Sequence, residues 1–190
     1  MVQVRSVRLR ALFAVVAGAS SVFAAGQVLN GSFEDGGGSF AGWGTAGNTL
    51  VLDNTLGSGP THLSWQAFMA TATDGTVNTN VPAAPGAAPG VLEALMQVAG
   101  GSLAAVGNGT PVMGSGIAQT VSLTAGDRVV FDWNFLTNQT FNDGSTSSIA
   151  PSTTNNDFSF FGAAPVGSPG LGQISVLAEP FFGYVNDPIL

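Results

Sequence analysis

Turn-forming residues interrupt this chain so often that no regular element can grow long. Glycine alone fills 27 of 190 positions, and Pro, Asn, Ser and Thr crowd the intervals between apolar runs. Gly, Asn and Asp adopt the backbone angles that tight turns need, so each cluster of them ends whatever precedes it. What remains is a series of short segments rich in β-branched and aromatic residues, the composition of an antiparallel all-β protein. The clearest instance covers residues 116–136. Ile117, Val121 and Leu123 alternate with Ala118, Thr120 and Ser122, Thr124-Ala125-Gly126-Asp127 supplies a turn, and Val129, Phe131, Trp133 and Phe135 then face one way. Period-2 alternation on both sides of a turn predicts a β-hairpin. The opposite face of its second strand shows Asp132 and Asn134, a wet face or a polar binding site.

Further strands are expected over residues 28–33, 49–53, 64–71 (Trp65, Ala67 and Met69 on one face) and 157–161. Residues 76–90, rich in Pro, Gly and Ala, read as a surface loop, and residues 137–156 as a polar one. Val91, Leu92, Leu95 and Met96 recur at helical spacing between Pro89-Gly90 and Gly100-Gly101. Residues 102–106 extend this into one short helical insertion over 91–106. The sum is a single antiparallel β-sandwich of jelly-roll type over residues 25–190.

Residues 1–24 read as an export signal. Arg5, Arg8 and Arg10 precede an apolar and small stretch, and Val22-Phe23-Ala24 suits a cut before Ala25. The apolar run is near ten residues, short of the ~20 that span a bilayer. The expectation is therefore a secreted or cell-surface protein without membrane insertion. Beyond residue 10 the chain has 11 acidic residues and a single cation, Arg128. Such a body cannot neutralise a row of phosphates, which argues against nucleic acid as a partner. With no Cys and one His, thiol nucleophiles, zinc–cysteine sites and multi-His centres are excluded.

Asn30-Gly31-Ser32-Phe33-Glu34-Asp35-Gly36, followed by Gly42-Trp43, resembles the opening strand of galactose-binding-like jelly-roll modules, including several carbohydrate-binding module families. Residues 93–109, Gly114-Ser115-Gly116-Ile117-Ala118-Gln119-Thr120, Ala125-Gly126-Asp127, Phe131-Asp132-Trp133-Asn134-Phe135-Leu136-Thr137-Asn138 and Asn156-Asp157-Phe158 occur in an order that resembles a family of secreted bacterial proteins. Many of its members carry a C-terminal PEP-CTERM sorting signal. The resemblance spans about residues 28–161 and implies a secreted β-sandwich, informing the fold more than the function. Two departures stand out. Members usually have Glu where this chain has Gln139, and they continue through further strands to a sorting tail. On this resemblance the domain is truncated at its C-terminal end.

The candidate sites follow from residue chemistry. Glu34 and Asp35, after the first expected strand, form a candidate structural calcium site, because Ca²⁺ takes six to eight oxygens from acidic, Gly-rich loops. The other reading, favoured here, is a solvated acidic turn, since a late aspartate to complete the site is not evident. Asn142-Asp143-Gly144-Ser145 is a weaker calcium candidate. Trp43 and Trp133 read as core. Trp65 reads equally as core or as a platform for a sugar ring, with Asp132 and Asn134 as further candidate ligand-binding residues. His62 lies in a loop with no Gly-x-Ser-x-Gly companion, and of the two acids on the expected hairpin, Asp127 and Asp132, the first belongs to its turn, which argues against a pair for glycoside hydrolysis. Asn30, Asn108 and Asn138 each open a glycosylation sequon of the kind that arises by chance in such a composition.

The expected function is that of a non-catalytic secreted module that binds extracellular polysaccharide or sits in an extracellular matrix. The alternative is a purely structural surface protein with no small ligand, and a polysaccharide hydrolase is a remote third. A sandwich without its closing strands exposes an open edge, and a chain without lysine lacks the usual edge protection. Residues 174–177 are apolar enough to pair. Self-association is therefore expected to rise with salt, which screens acidic repulsion over about 8 Å. Sedimentation at low and high salt measures this; a sharp monomer at both, with a cooperative melt above about 60 °C, is the contrary outcome.

Overall fold

A computed structural model describes residues 27–53, 59–70, 85–106, 110–135 and 157–179. The expected export signal, most of the 76–90 loop, the 137–156 loop and the last eleven positions lie outside these residues. The described elements are β1 (Gly44–Ala46), β2 (Asn48–Leu52), β3 (Gln66–Ala70), α1 (Pro89–Met96), α2 (Ser102–Val106), β4 (Gly116–Ala118), β5 (Ser159–Ala163) and β6 (Gln173–Ala178). The strands make three two-stranded antiparallel sheets, β1 with β4, β2 with β3, and β5 with β6. The architecture is mostly β, with the two α-helices at the expected insertion and a single 3-10 turn at Pro169–Leu171 between β5 and β6.

β1 and β2 are halves of one extended run, split at Gly47, whose φ of 76° carries the chain from one ladder to the next. A side chain there would strike the Gly114 carbonyl and the Ser115 hydroxyl. Around this kink the two ladders are tied together. The Ser115 hydroxyl accepts the Asn48 N–H (2.7 Å) and donates to the Ala70 carbonyl (2.5 Å). Gly114 pairs with Ala87 through both backbone groups.

The helical insertion sits on glycines. Leu92 and Leu95 of α1 lie close over Gly114, Gly116 and Gly44, and the Met96 sulfur lies close over Gly162. The same helix thereby spans the β1–β4 pair and β5. Val91, expected on this face, points outward at 52% exposure, while Leu92 is 3% exposed. Pro89 opens α1, where a missing N–H costs nothing. At its end Gln97 turns left-handed (φ 56°), with Gln97 N–H on Ala94 O and Val98 N–H on Glu93 O, a Schellman closure that seats buried Val98. Buried Glu93 then joins the two helices. Its carboxylate accepts the N–H groups of Gly101 (3.0 Å) and Leu103 (2.9 Å), satisfying donors at the start of α2. Leu103, at 1% exposure, and Leu177 and Ala178 of β6 form the core beneath.

Two expected strands differ. Residues 28–33 are turns, because Asn30 (φ 47°) and Phe33 (φ 63°) leave the extended region and Phe33 N–H closes on Asn30 O. The 116–136 hairpin is also absent among the described residues: β4 ends at Ala118 and pairs with β1, and residues 119–135 join no ladder. Its turn forms nonetheless. Asp127 N–H bonds Thr124 O (3.0 Å) with Gly126 at φ 99°. Its two faces also alternate as read, with Val129, Phe131, Trp133 and Phe135 half-buried and Val130, Asp132 and Asn134 exposed. The apolar stretch 174–177 lies within β6 and pairs with β5.

A paired substitution tests the kink. Gly47→Ala combines a left-handed conformation costing roughly 1–2 kcal/mol with overpacking of roughly 1–3 kcal/mol. Gly90→Ala, inside α1 with open space around it, gains about 0.5–1 kcal/mol of helix propensity. Urea titration is expected to move the two midpoints in opposite directions.

Candidate functional site

The site begins at Asn30, whose left-handed backbone turns its amide inward. Asn30 Oδ1 accepts the Asp35 N–H (3.1 Å), and Nδ2 donates to the carbonyls of Ser39 (2.9 Å) and Ala41 (3.4 Å). This closes residues 30–41 into a ring of turns. Its carbonyl also takes the Trp43 indole N–H (3.2 Å), and the rings of Phe33, Phe40 and Trp43 pack beneath, with centroids 5.5–5.8 Å apart. Trp43 is thus half-buried in an aromatic cluster, in keeping with its reading as core. From the other side the Gln119 amide holds the ring. Oε1 accepts the Leu29 N–H (2.8 Å), while Nε2 donates to Leu29 O (3.0 Å) and Gly42 O (2.9 Å).

The closed loop presents Glu34 to the segment entering β3. One carboxylate oxygen, Oε1, accepts the N–H groups of Ser64 (2.7 Å) and Trp65 (2.9 Å). The Trp65 ring lies on Gly38 (φ 101°), where an added Cβ would stand 2.7 Å from the indole Cδ2. Only glycine leaves room for the ring. One indole face is therefore floored by backbone, and the residue as a whole is half-buried. Two exposed stretches adjoin it in the chain, Asp35-Gly36-Gly37 just before Gly38 and Thr61-His62-Leu63-Ser64 just before Trp65.

Of the residues singled out in the sequence, the structure brings Glu34, Asp35 and Trp65 into one place. Asp132 and Asn134 are exposed on a different segment, which is tied to β5 through the Phe131 and Phe161 rings (5.3 Å). Among the described residues no hydrogen bond joins either of them to Trp65. The candidate calcium pair lies within this closed loop. Glu34 Oε1 is occupied by two amides, and no three acidic or imidazole side chains converge among the described residues. Asn108, Asn138, Gln139 and the 142–145 segment lie outside those residues. Asp127 is likewise structural: the Thr124 N–H first, then its hydroxyl, hold the carboxyl below the usual carboxylate range.

Sequence reasoning did not assign roles to Ser115, Gln119 and Glu93, the side chains that tie these segments together. The available signal was the Gly-Ser-Gly-Ile-Ala-Gln string, in which two hydrogen-bonding side chains interrupt a run of small and apolar residues. Comparisons of the chain with protein families, with curated proteins and with solved structures find no match.

The Glu34 clasp has a measurable weight. Glu34→Ala leaves two N–H groups without their acceptor and is expected to cost about 1–3 kcal/mol, with a change in the near-ultraviolet circular dichroism contributed by Trp65. Glu34→Gln keeps an acceptor oxygen and should lose less than half as much in the same urea titration.

Proposed function

We propose that the chain is a secreted, non-catalytic β-module of jelly-roll type that binds extracellular carbohydrate through Trp65. The observation that carries this reading is the mounting of Trp65. Its backbone is held by Glu34, one ring face rests on Gly38, and exposed polar loops flank it. Fixing an aromatic ring before a ligand arrives lowers the ordering cost of binding, which is how rigid platforms gain affinity. Thr61, Ser64 and Asp35 place hydroxyls and a carboxylate in the flanking loops, groups suited to sugar hydroxyls. The export signal and the motif resemblance to secreted PEP-CTERM-type proteins support an extracellular setting. A sequence with no Cys, one His and no Gly-x-Ser-x-Gly string supports a binding role over hydrolysis.

One observation favours the second reading, a structural surface protein without a ligand. Asn30, Glu34, Ser115 and Gln119 all bond backbone groups of other segments, as parts of a scaffold would. A glycan array with the purified chain separates the two. Binding that falls about tenfold (~1.4 kcal/mol) in Trp65→Ala and is largely retained in Trp65→Phe, at unchanged melting behaviour, supports the platform. Binding to no glycan favours the scaffold.

A further inference from the structure

We infer that the Trp65 platform selects an uncharged polysaccharide and discriminates against uronate, sulfated or phosphorylated chains; this rests on the reading of Trp65 as a glycan platform. Three observations carry it. Asp35 is exposed on the same loop as Gly38, three residues before the glycine that floors the indole ring. Neither flanking loop, 34–38 or 61–65, contains a Lys or Arg, and the one cation beyond residue 10 is Arg128. The Trp65 ring adds the third, since the faces of an indole π-system carry partial negative charge.

An anionic sugar stacked there would bring its carboxylate or sulfate towards the Asp35 loop with no guanidinium or ammonium in either flanking loop to receive it. Recognition of such groups ordinarily relies on an Arg fork or a Lys. Sugar hydroxyls have the opposite relation to the same carboxylate, because they donate to it in charge-assisted bonds. With one indole face closed by Gly38, the platform takes a ring from one side only, as a single stacking surface along an exposed chain.

Affinity electrophoresis of the purified chain through gels of neutral polymers (β-glucan, mannan, galactan) and of polygalacturonate or alginate tests the rule, at low and at physiological salt. The expected result is retardation by at least one neutral polymer, lost about tenfold in Trp65→Ala. Polyuronate binding should be at least tenfold weaker at low salt. The gap narrows as salt screens the repulsion and shrinks severalfold in Asp35→Lys, whose side chain is free to change at the surface. Polyuronate binding that equals or exceeds neutral binding and depends on Trp65 overturns the charge rule while leaving the platform standing. No Trp65-dependent retardation by any polymer overturns the platform reading, and this inference with it.

Discussion

With one cation beyond residue 10, this protein cannot neutralise its carboxylates with basic side chains. Three of them are held instead by N–H and O–H donors. Glu34 takes two backbone amides ahead of β3, Glu93 takes two at the start of α2, and Asp127 takes the amide and hydroxyl of Thr124. A carboxylate that accepts two N–H groups makes charge-assisted bonds without a counter-ion. It also satisfies donors that turns and helix ends leave open. The same chemistry suits a chain built from turns, because every turn ends with unpaired amides to offer. Acidic composition and turn-rich architecture are in this sense one solution.

The neutral counterpart is the stretch from Gly114 to Gln119. Gly114 pairs with Ala87, Ser115 bridges β2 and β3, Gly116 to Ala118 pair with β1, and Gln119 reaches Leu29 and Gly42. Gln119 is instructive in its geometry. Its carboxamide accepts from Leu29 N–H and donates to Leu29 O, the two bonds that a residue in a neighbouring strand would make with its backbone. A side chain thus replaces a strand, and the ladder stops where it does. Small residues are required beside it, since Leu92 and Leu95 seat directly on Gly114 and Gly44.

These two devices explain what could be read from the sequence and what could not. Strands 49–53 and 64–71, the helical insertion, and the turn at 124–127 were legible because each depends on local pattern: alternation, helical spacing between glycines, or turn chemistry. The expected helix broke into two because Gln97 adopted a left-handed closure that no propensity marks. The expected first strand became turns because the Asn30 amide bonds three backbone groups of the loop ahead, more than a strand position there would supply. Over residues 120–123 and 129–135 the alternation correctly separated inner from outer residues, yet partner choice was decided by long-range bonds of Ser115 and Gln119. Period-2 patterning reports which side faces in, not which strand lies alongside.

The same distinction governs the candidate site. Glu34, Asp35 and Trp65 could each be noticed from the sequence, but for separate reasons: two as metal ligands, one as a sugar platform. Their convergence depends on Gly38, whose lack of a side chain lets the indole rest on the loop, and on a carboxylate oxygen that joins two segments thirty residues apart. Glu34, a candidate calcium ligand in a stretch read more readily as a solvated acidic turn, thus also holds the backbone that carries an aromatic ring. The two acids differ in consequence. Glu34 has one oxygen engaged on the backbone of residues 64 and 65, while Asp35 is exposed at the next position.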